Sequence, residues 1–428
     1  MTRSRGLLSV VWLASVAANG VVADWPQWRG PNRDGKSTET GLQAQWPAGG
    51  PRRLWTAEGL GEGYSTVAVV DGLIYATGMV PQTHQGVLSA FDLGGDLKWR
   101  TPYGPEWHTR YPGARSTPTV DGDRVYVLSG MGRLVCCDAT TGAIRWSKHV
   151  AKEFGGEPPA CGFAESVLVH DHQVICTPGG KDASLVALNK TTGRTIWTSK
   201  GLSEQSAYCS PILVERADKR LLVTITARSV VGLSVDTGDP WWRQPQDPDA
   251  KDPNHSVTPV YGAGHLYATS GHGQGGQLLA VSPDGRQVRV AWTDKTLNSL
   301  HGGVVLVDGH LYGSNLKGRW ACLRLTTGEV MYEAKGVGRG SVAYADGKLY
   351  CYGEKGTVAL VPASPTGYKP VSRFTVRRGN GRHWAHPVIC GGRLYLRHGD
   401  CLMAFDIRAR SGPTSAPHAP LEQPCPTP

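Results

Sequence analysis

Ten residues have side chains suited to chemistry and recur at near-even intervals: Tyr64, Arg115, Glu165, Tyr208, Asn254 with His255, His301, Arg339, and His383 with Trp384. Guanidinium groups grip anions through paired donors, and aromatic rings offer flat apolar faces. Gathered at one place, they make a pocket for an anionic or aromatic ligand. His255, His301 and His383 suit a transition metal if they converge. The same residue types also serve as solvated rim groups or hydrogen-bonded core histidines, so type alone assigns no catalytic residue.

Their spacing points to the elements that position them. Each stands just ahead of a copy of one unit, best seen in Ser116–Trp146, STPTVDGDRVYVLSGMGRLVCCDATTGAIRW. STPTV is a β-branched run ending at the turn pair Asp121-Gly122. RVYVLS runs to Gly130 and Gly132, LVCCD follows, and after Thr140-Thr141-Gly142 comes AIRW. Four strands joined by tight turns make an antiparallel sheet too small to bury its own faces, so the unit needs copies of itself.

The copies follow one another from Ser65 onward. Second strands centre on Tyr75, Tyr126, Ile175, Leu222, Tyr267, Tyr312, Tyr350 and Tyr395. Their mean spacing of about 46 residues fits propeller blades of four strands. Fourth strands ending in an aromatic residue occur at Trp99, Trp146, Trp197, Trp242, Trp292, Tyr332 and Phe374, one fewer than the second strands. The last repeat stops after its third strand at Asp406, and a lone strand at Arg53-Leu54-Trp55-Thr56 supplies what is missing. The expected fold is therefore all-β: an eight-bladed β-propeller, spanning 53–408, closed by an N-terminal strand that completes the last blade.

Turns after first strands (Asp71-Gly72, Asp121-Gly122, Asp308-Gly309, Asp346-Gly347) and after third strands are minimal. The loops at the opposite face are long, as in 101–113, 151–162, 243–254 and 79–86. Function concentrates on elaborated loops held by a rigid scaffold, so the long-loop face is the one to search. The ten residues above are expected at its channel mouth.

Residues 1–23 read as a cleavable export signal, with Arg3 and Arg5 before an apolar run from Leu7 to Ala18 and small residues before Asp24. A Trp-, Gly- and Pro-rich leader over 24–52 lacks periodicity and is expected to lie across other elements. A Pro-rich tail at 409–428 is expected to be disordered. The formal net charge of +10 comes from scattered basic residues and indicates no nucleic-acid partner. No other stretch is apolar enough to span a membrane. Most of the ten Cys fall in strand positions, where they read as small core residues. No CxxC or CxxCH motif supports zinc or haem.

The pattern in CCDATTGAIRW and ALNKTTGRTIW resembles the pyrroloquinoline-quinone (PQQ) repeat of quinoprotein dehydrogenases and of the outer-membrane assembly factor BamB. The set DWPQWRGPNRDG, GLGEGYSTVAVVDG, VICTPGGKDASLVALNKTTG, LHGGVVLVDGHLYGS, EKGTVALV and WAHPVICGGRLYLR is most similar to secreted bacterial PQQ-binding-like propeller repeats. The resemblance covers Asp24 to Asp406. It implies eight blades, docked by the Trp that end each repeat. In the quinoprotein dehydrogenases it implies PQQ held with calcium by a Glu, an Asn and often an Asp, with an Asp base and an Arg on the quinone oxygens. Glu165 and Asn254 match two ligands, and Arg115 or Arg339 the cation. No first strand begins with Asp, and Asp249 and Asp252 occur only in the loop before the fifth blade. The resemblance also brings to mind a vicinal disulfide at Cys136-Cys137, but neighbouring strand residues point to opposite faces and the pair reads as core. The resulting expectation is an exported monomer that binds a protein, a carbohydrate or a small anionic or aromatic ligand through its long-loop face. The alternative is a PQQ- and calcium-dependent dehydrogenase oxidising alcohols or polyols.

Overall fold

The computed structural model describes residues 24–216, 219–246 and 254–409. The segment read as an export signal, Asp249, Asp252 and the tail beyond Ala409 lie outside the described residues. Among the described residues thirty-two strands form eight four-stranded antiparallel sheets, with one short helix at Val150–Glu153. Seven sheets are consecutive in sequence. The eighth joins Val388–Cys390, Arg393–His398 and Cys401–Asp406 to Arg52–Ala57, which pairs antiparallel with the third of these, Arg52 opposite Asp406 and Trp55 opposite Ala404. We number the blades 1 to 8 from their first strands: Ala68–Val70, Thr119–Asp121, Leu168–His170, Ile212–Arg216, Val260–Gly262, Val304–Val307, Gly340–Ala345 and Val388–Cys390.

Apolar side chains on both faces of each sheet fill the spaces between blades. Cys136 and Cys137 illustrate the alternation. The first packs with Val174 and Leu188 of blade 3, the second with Ala68 and Leu88 of blade 1, and none of the nine described cysteines is in a disulfide. Repeat-ending tryptophans link the blades. The indole N–H groups of Trp55, Trp99, Trp146, Trp197, Trp242 and Trp292 each donate to a backbone carbonyl of the next blade, at 2.8–3.2 Å. The six-membered ring of Trp99 lies on Gly142, where φ is +74° and an added Cβ would stand 2.4 Å from the ring. Gly at this turn therefore serves both the backbone angle and the indole contact.

The leader does more than lie across the surface. Trp25 exchanges backbone hydrogen bonds with Val69 of blade 1, and Pro26 accepts from Val120 of blade 2. Arg29 donates to Val304 O of blade 6 at 2.6 Å, and Arg33 to Val167 O of blade 3 at 2.9 Å and to Ser166 O. Ser37 donates to Tyr344 O of blade 7, and the Glu39 carboxylate accepts from Gly391 and Gly392 of blade 8. Both arginines are buried, and burial lowers each guanidinium to about 10, still protonated at neutral pH. Both also hold positive φ, +61° and +56°, a conformation costing about 1–3 kcal/mol in a non-Gly residue and kept only where the surroundings fix it.

Candidate functional site

A cavity of about 350 Å³ opens among the connections that precede the first strands. Of the ten residues singled out from the sequence, Tyr64, Arg115, Tyr208, Asn254, His301, Arg339 and Trp384 line it. Three do not. Glu165 is only 1% exposed; its Oε2 accepts from the Thr177 amide at 2.9 Å. His255, also 1% exposed, pairs with Ser270 Oγ at 2.8 Å and Ala227 O at 3.2 Å. His383 bonds Tyr352 OH at 2.6 Å and stacks on His398 at 3.5 Å between ring centroids. The slot ahead of each first strand is thus shared, but in these three blades the side chain turns into the blade, toward a buried partner. With His255 and His383 directed away, the three histidines do not assemble as a metal site. Among the described residues no group of three or more His, Cys, Asp or Glu could hold a metal ion.

The wall is aromatic and cationic. Trp384 sits at the centre, its ring 4.9 Å from Tyr64, 5.1 Å from Tyr111 and 5.1 Å from His301. Arg382 lies 5.1 Å over both Tyr111 and Trp384, and Arg115 lies 5.6 Å over Tyr64. Arg115 is tied by Nη1 to Gly113 O at 3.1 Å and by Nη2 to Tyr111 O, which fixes it against the loop it leaves. Burial lowers its guanidinium and raises the Tyr64 phenol. Among the described residues Arg110, Arg115 and Arg382 have no carboxylate within ion-pair distance, and no Asp or Glu lines the cavity.

Glu354, in the turn between the second and third strands of blade 7, stands behind this wall. Its oxygens accept from Arg339 at 2.8 and 2.7 Å and from Trp384 Nε1 at 3.0 Å, and one lies 3.0 Å from His301 Nε2. Burial alone would raise this carboxyl. His301 and Arg339 outweigh it and hold the group down at about 2. One anion therefore positions three cavity residues and neutralises Arg339, leaving the other three arginines to set the potential. On the opposite side Tyr208 OH accepts from the Cys161 amide at 3.1 Å. Asn254 Nδ2 lies 3.3 Å from His272 Nε2. The floor is Trp28 of the leader, with His386 4.5 Å from its ring.

Glu354, Arg110, Tyr111, Arg382 and Trp28 were not singled out from the sequence. Arg110 and Tyr111 lie in the long loop 101–113, which gave a signal for the region but none for the residue. Glu354 opens the EKGTVALV segment, which signalled the repeat and gave no role for its first residue.

The arrangement fits the organic half of the cofactor implied by resemblance better than the ionic half. Planar anions match arginines stacked on aromatic rings. The calcium donors are not assembled among the described residues. Glu165 is off the cavity and burial pushes it up to about 8, against the Thr177 hydrogen bond and the Arg33 charge, so it is largely protonated at neutral pH. Among the described residues no Asp or Glu joins Asn254 in the cavity lining.

Comparison with known proteins agrees with this geometry at the level of fold. The family described as outer membrane protein assembly factor BamB matches residues 84–334, more than half of the chain. Quinoprotein ethanol dehydrogenase of Pseudomonas aeruginosa is 26% identical over 159 residues, 34% of this chain and 25% of that enzyme. The match thus spans about a quarter of the length of that curated relative. Among solved structures, BamB from Moraxella catarrhalis superposes with a TM-score of 0.62 at 17% identity, covering 84% of this chain and 98% of that one. Quinohemoprotein alcohol dehydrogenase from Comamonas testosteroni gives 0.65 at 14% identity, covering 91% and 81%.

Proposed function

We propose a ligand-binding role from this premise: the chain belongs to the family described as outer membrane protein assembly factor BamB. In this reading the protein is an exported binding module, and its cavity takes a small planar anion carrying an aromatic ring and carboxylate or similar groups. The observation that carries it is three arginines, Arg110, Arg115 and Arg382, set against Tyr64, Tyr111 and Trp384, with no acidic residue among the described residues of the lining. An empty pocket of this kind holds uncompensated positive charge beside flat apolar faces, and a planar anion satisfies both at once. A neutral sugar would leave the arginines unmatched, which disfavours carbohydrate. The N-terminal apolar run after Arg3 and Arg5 supports export.

Catalysis forms no part of this reading. Dehydrogenation needs a base at the reacting carbon, and no described carboxylate reaches the cavity. Quinoprotein relatives nevertheless make PQQ a fitting probe, with calcium as a variable.

The test is calorimetric titration with naphthalene-2,6-dicarboxylate, its dimethyl ester, and PQQ with and without calcium. The diacid is expected to bind at least about tenfold more tightly than the ester, and PQQ binding is expected to be calcium-independent. Arg115→Met and Arg382→Met should each weaken the diacid about 10- to 100-fold, as loss of a charge-assisted contact does. Glu354→Gln should change it less, because the freed Arg339 charge offsets the loosening of Arg339, Trp384 and His301. Equal affinity for acid and ester would overturn the reading. So would calcium-dependent PQQ binding with turnover in a dye-linked alcohol assay, which would establish the dehydrogenase.

A further inference from the structure

We propose that the leader is a built-in stopper: it enters the central channel from the short-turn face, seals it, and presents Trp28 as the contact floor of the cavity on the other side. Its path carries the inference. Asp24 lies beside the Asp71 turn of blade 1, and Leu42 N donates to Asp346 Oδ2 in the equivalent turn of blade 7 at 2.9 Å. Both ends of the segment therefore sit at the short-turn face. Between them the chain reaches inward far enough for Trp28 to line a cavity formed by the long loops.

The inward limb is fastened crosswise. Arg29 reaches blade 6 and Arg33 blade 3, three blades apart in the ring, while Trp28 Nε1 donates to Thr258 Oγ1 of blade 5 at 2.9 Å. Space for it is provided on the blades. A Cβ at Gly303 would stand 2.2 Å from Arg29 Nη1 and 3.0 Å from His386 Cε1. The sequence between the two arginines supplies the turn, and Gly35 lies against the Arg29 guanidinium. A through-channel becomes a blind pocket with a single mouth, and a residue outside every blade becomes part of the binding surface.

The inference rests on the cavity being a ligand site, so its test separates the two. The probe is naphthalene-2,6-dicarboxylate with the full chain, combined with amide hydrogen exchange over residues 25–37. Trp28→Ala is expected to weaken the probe about tenfold and Trp28→Phe no more than about threefold. Thr258→Val removes only the acceptor of the indole N–H and should weaken binding about threefold, which keeps the test open if the alanine variant fails to fold. Leader amides should exchange slowly in the free protein and more slowly still with the probe bound. Wild-type binding that is unchanged in all three variants, with leader exchange indifferent to the probe, would overturn the floor role of Trp28. If the wild type binds no probe, the ligand reading fails, and exchange alone judges the stopper: slow exchange supports it, and exchange at free-peptide rates overturns it.

Discussion

Replacing Arg397 with methionine is expected to lower the unfolding free energy by about 3–5 kcal/mol, read by urea denaturation. Arg397, in the second strand of blade 8, is fully buried at the seam with blade 1. It donates to Gly399 O at 2.8 Å, Thr77 O at 2.6 Å, Gly61 O at 3.1 Å, and Ser65 at both its carbonyl and its hydroxyl. Two effects oppose each other in the variant. Losing a buried guanidinium, which burial has already lowered to about 10, relieves desolvation. Against that, several acceptors are left in a space that methionine fills only in part, each costing about 1–3 kcal/mol if unsatisfied. The acceptors outnumber the single relieved charge, so destabilisation wins. Lysine should recover little, because a compact ammonium cannot serve acceptors spread around a planar fork. A loss under about 1 kcal/mol would mean that water replaces the guanidinium at this seam.

The second large effect depends on pH. Glu165 titrates at about 8 in the folded protein against an ordinary 4.5, with burial the main cause. Between those values the folded state keeps a proton that the unfolded chain has released. Stability therefore falls as pH rises through this window, and the penalty is complete above about 8. Glutamine mimics the protonated side chain and does not titrate. Glu165→Gln should thus match the wild type near pH 4.5 and exceed it by a few kcal/mol, on the order of 3–4, at pH 8 to 9. Parallel pH profiles for the two proteins would show that Glu165 ionises as an ion pair with Arg33 instead.

Strand count and closure were legible because their signals are local and repeated. β-branched runs recur from unit to unit, Asp-Gly turns mark four of them, an aromatic stands four residues after the turn Gly in five, and the orphan strand at Trp55 follows from subtraction. Positions at the channel mouth were legible for the opposite reason, as breaks in the repeat. What the sequence could not decide was direction. Tyr64, Glu165 and His255 occupy equivalent slots, yet Tyr64 meets Trp384 while Glu165 and His255 find partners inside their own blades, at Thr177 and Ser270. Partner availability depends on residues far along the chain, and no period encodes it. The leader was least legible: with no repeat to align it against, its passage through the channel rested on two buried arginines that resemble surface residues in sequence.

The indole links between blades all run the same way round the ring, each blade reaching for the next. Blades 6 and 7 offer Tyr332 and Phe374 instead, which have no N–H to give. Between blades 6 and 7 Trp320 takes that part, its indole N–H donating at 2.9 Å to Gly338 O on the approach to blade 7, and among the described residues the seam of blades 7 and 8 is left without such a link. It is there that the leader returns to the rim: Trp46 packs edge-on against Phe374 at 5.3 Å and beside Tyr350 at 5.9 Å, and its amide donates to Ser372 at 2.8 Å. A tryptophan from the start of the chain thus covers this seam, in one apolar cluster with Ile389, Leu394 and Phe405 of blade 8. Opening the circle at that seam takes Trp46 out of this cluster and exposes its large apolar ring.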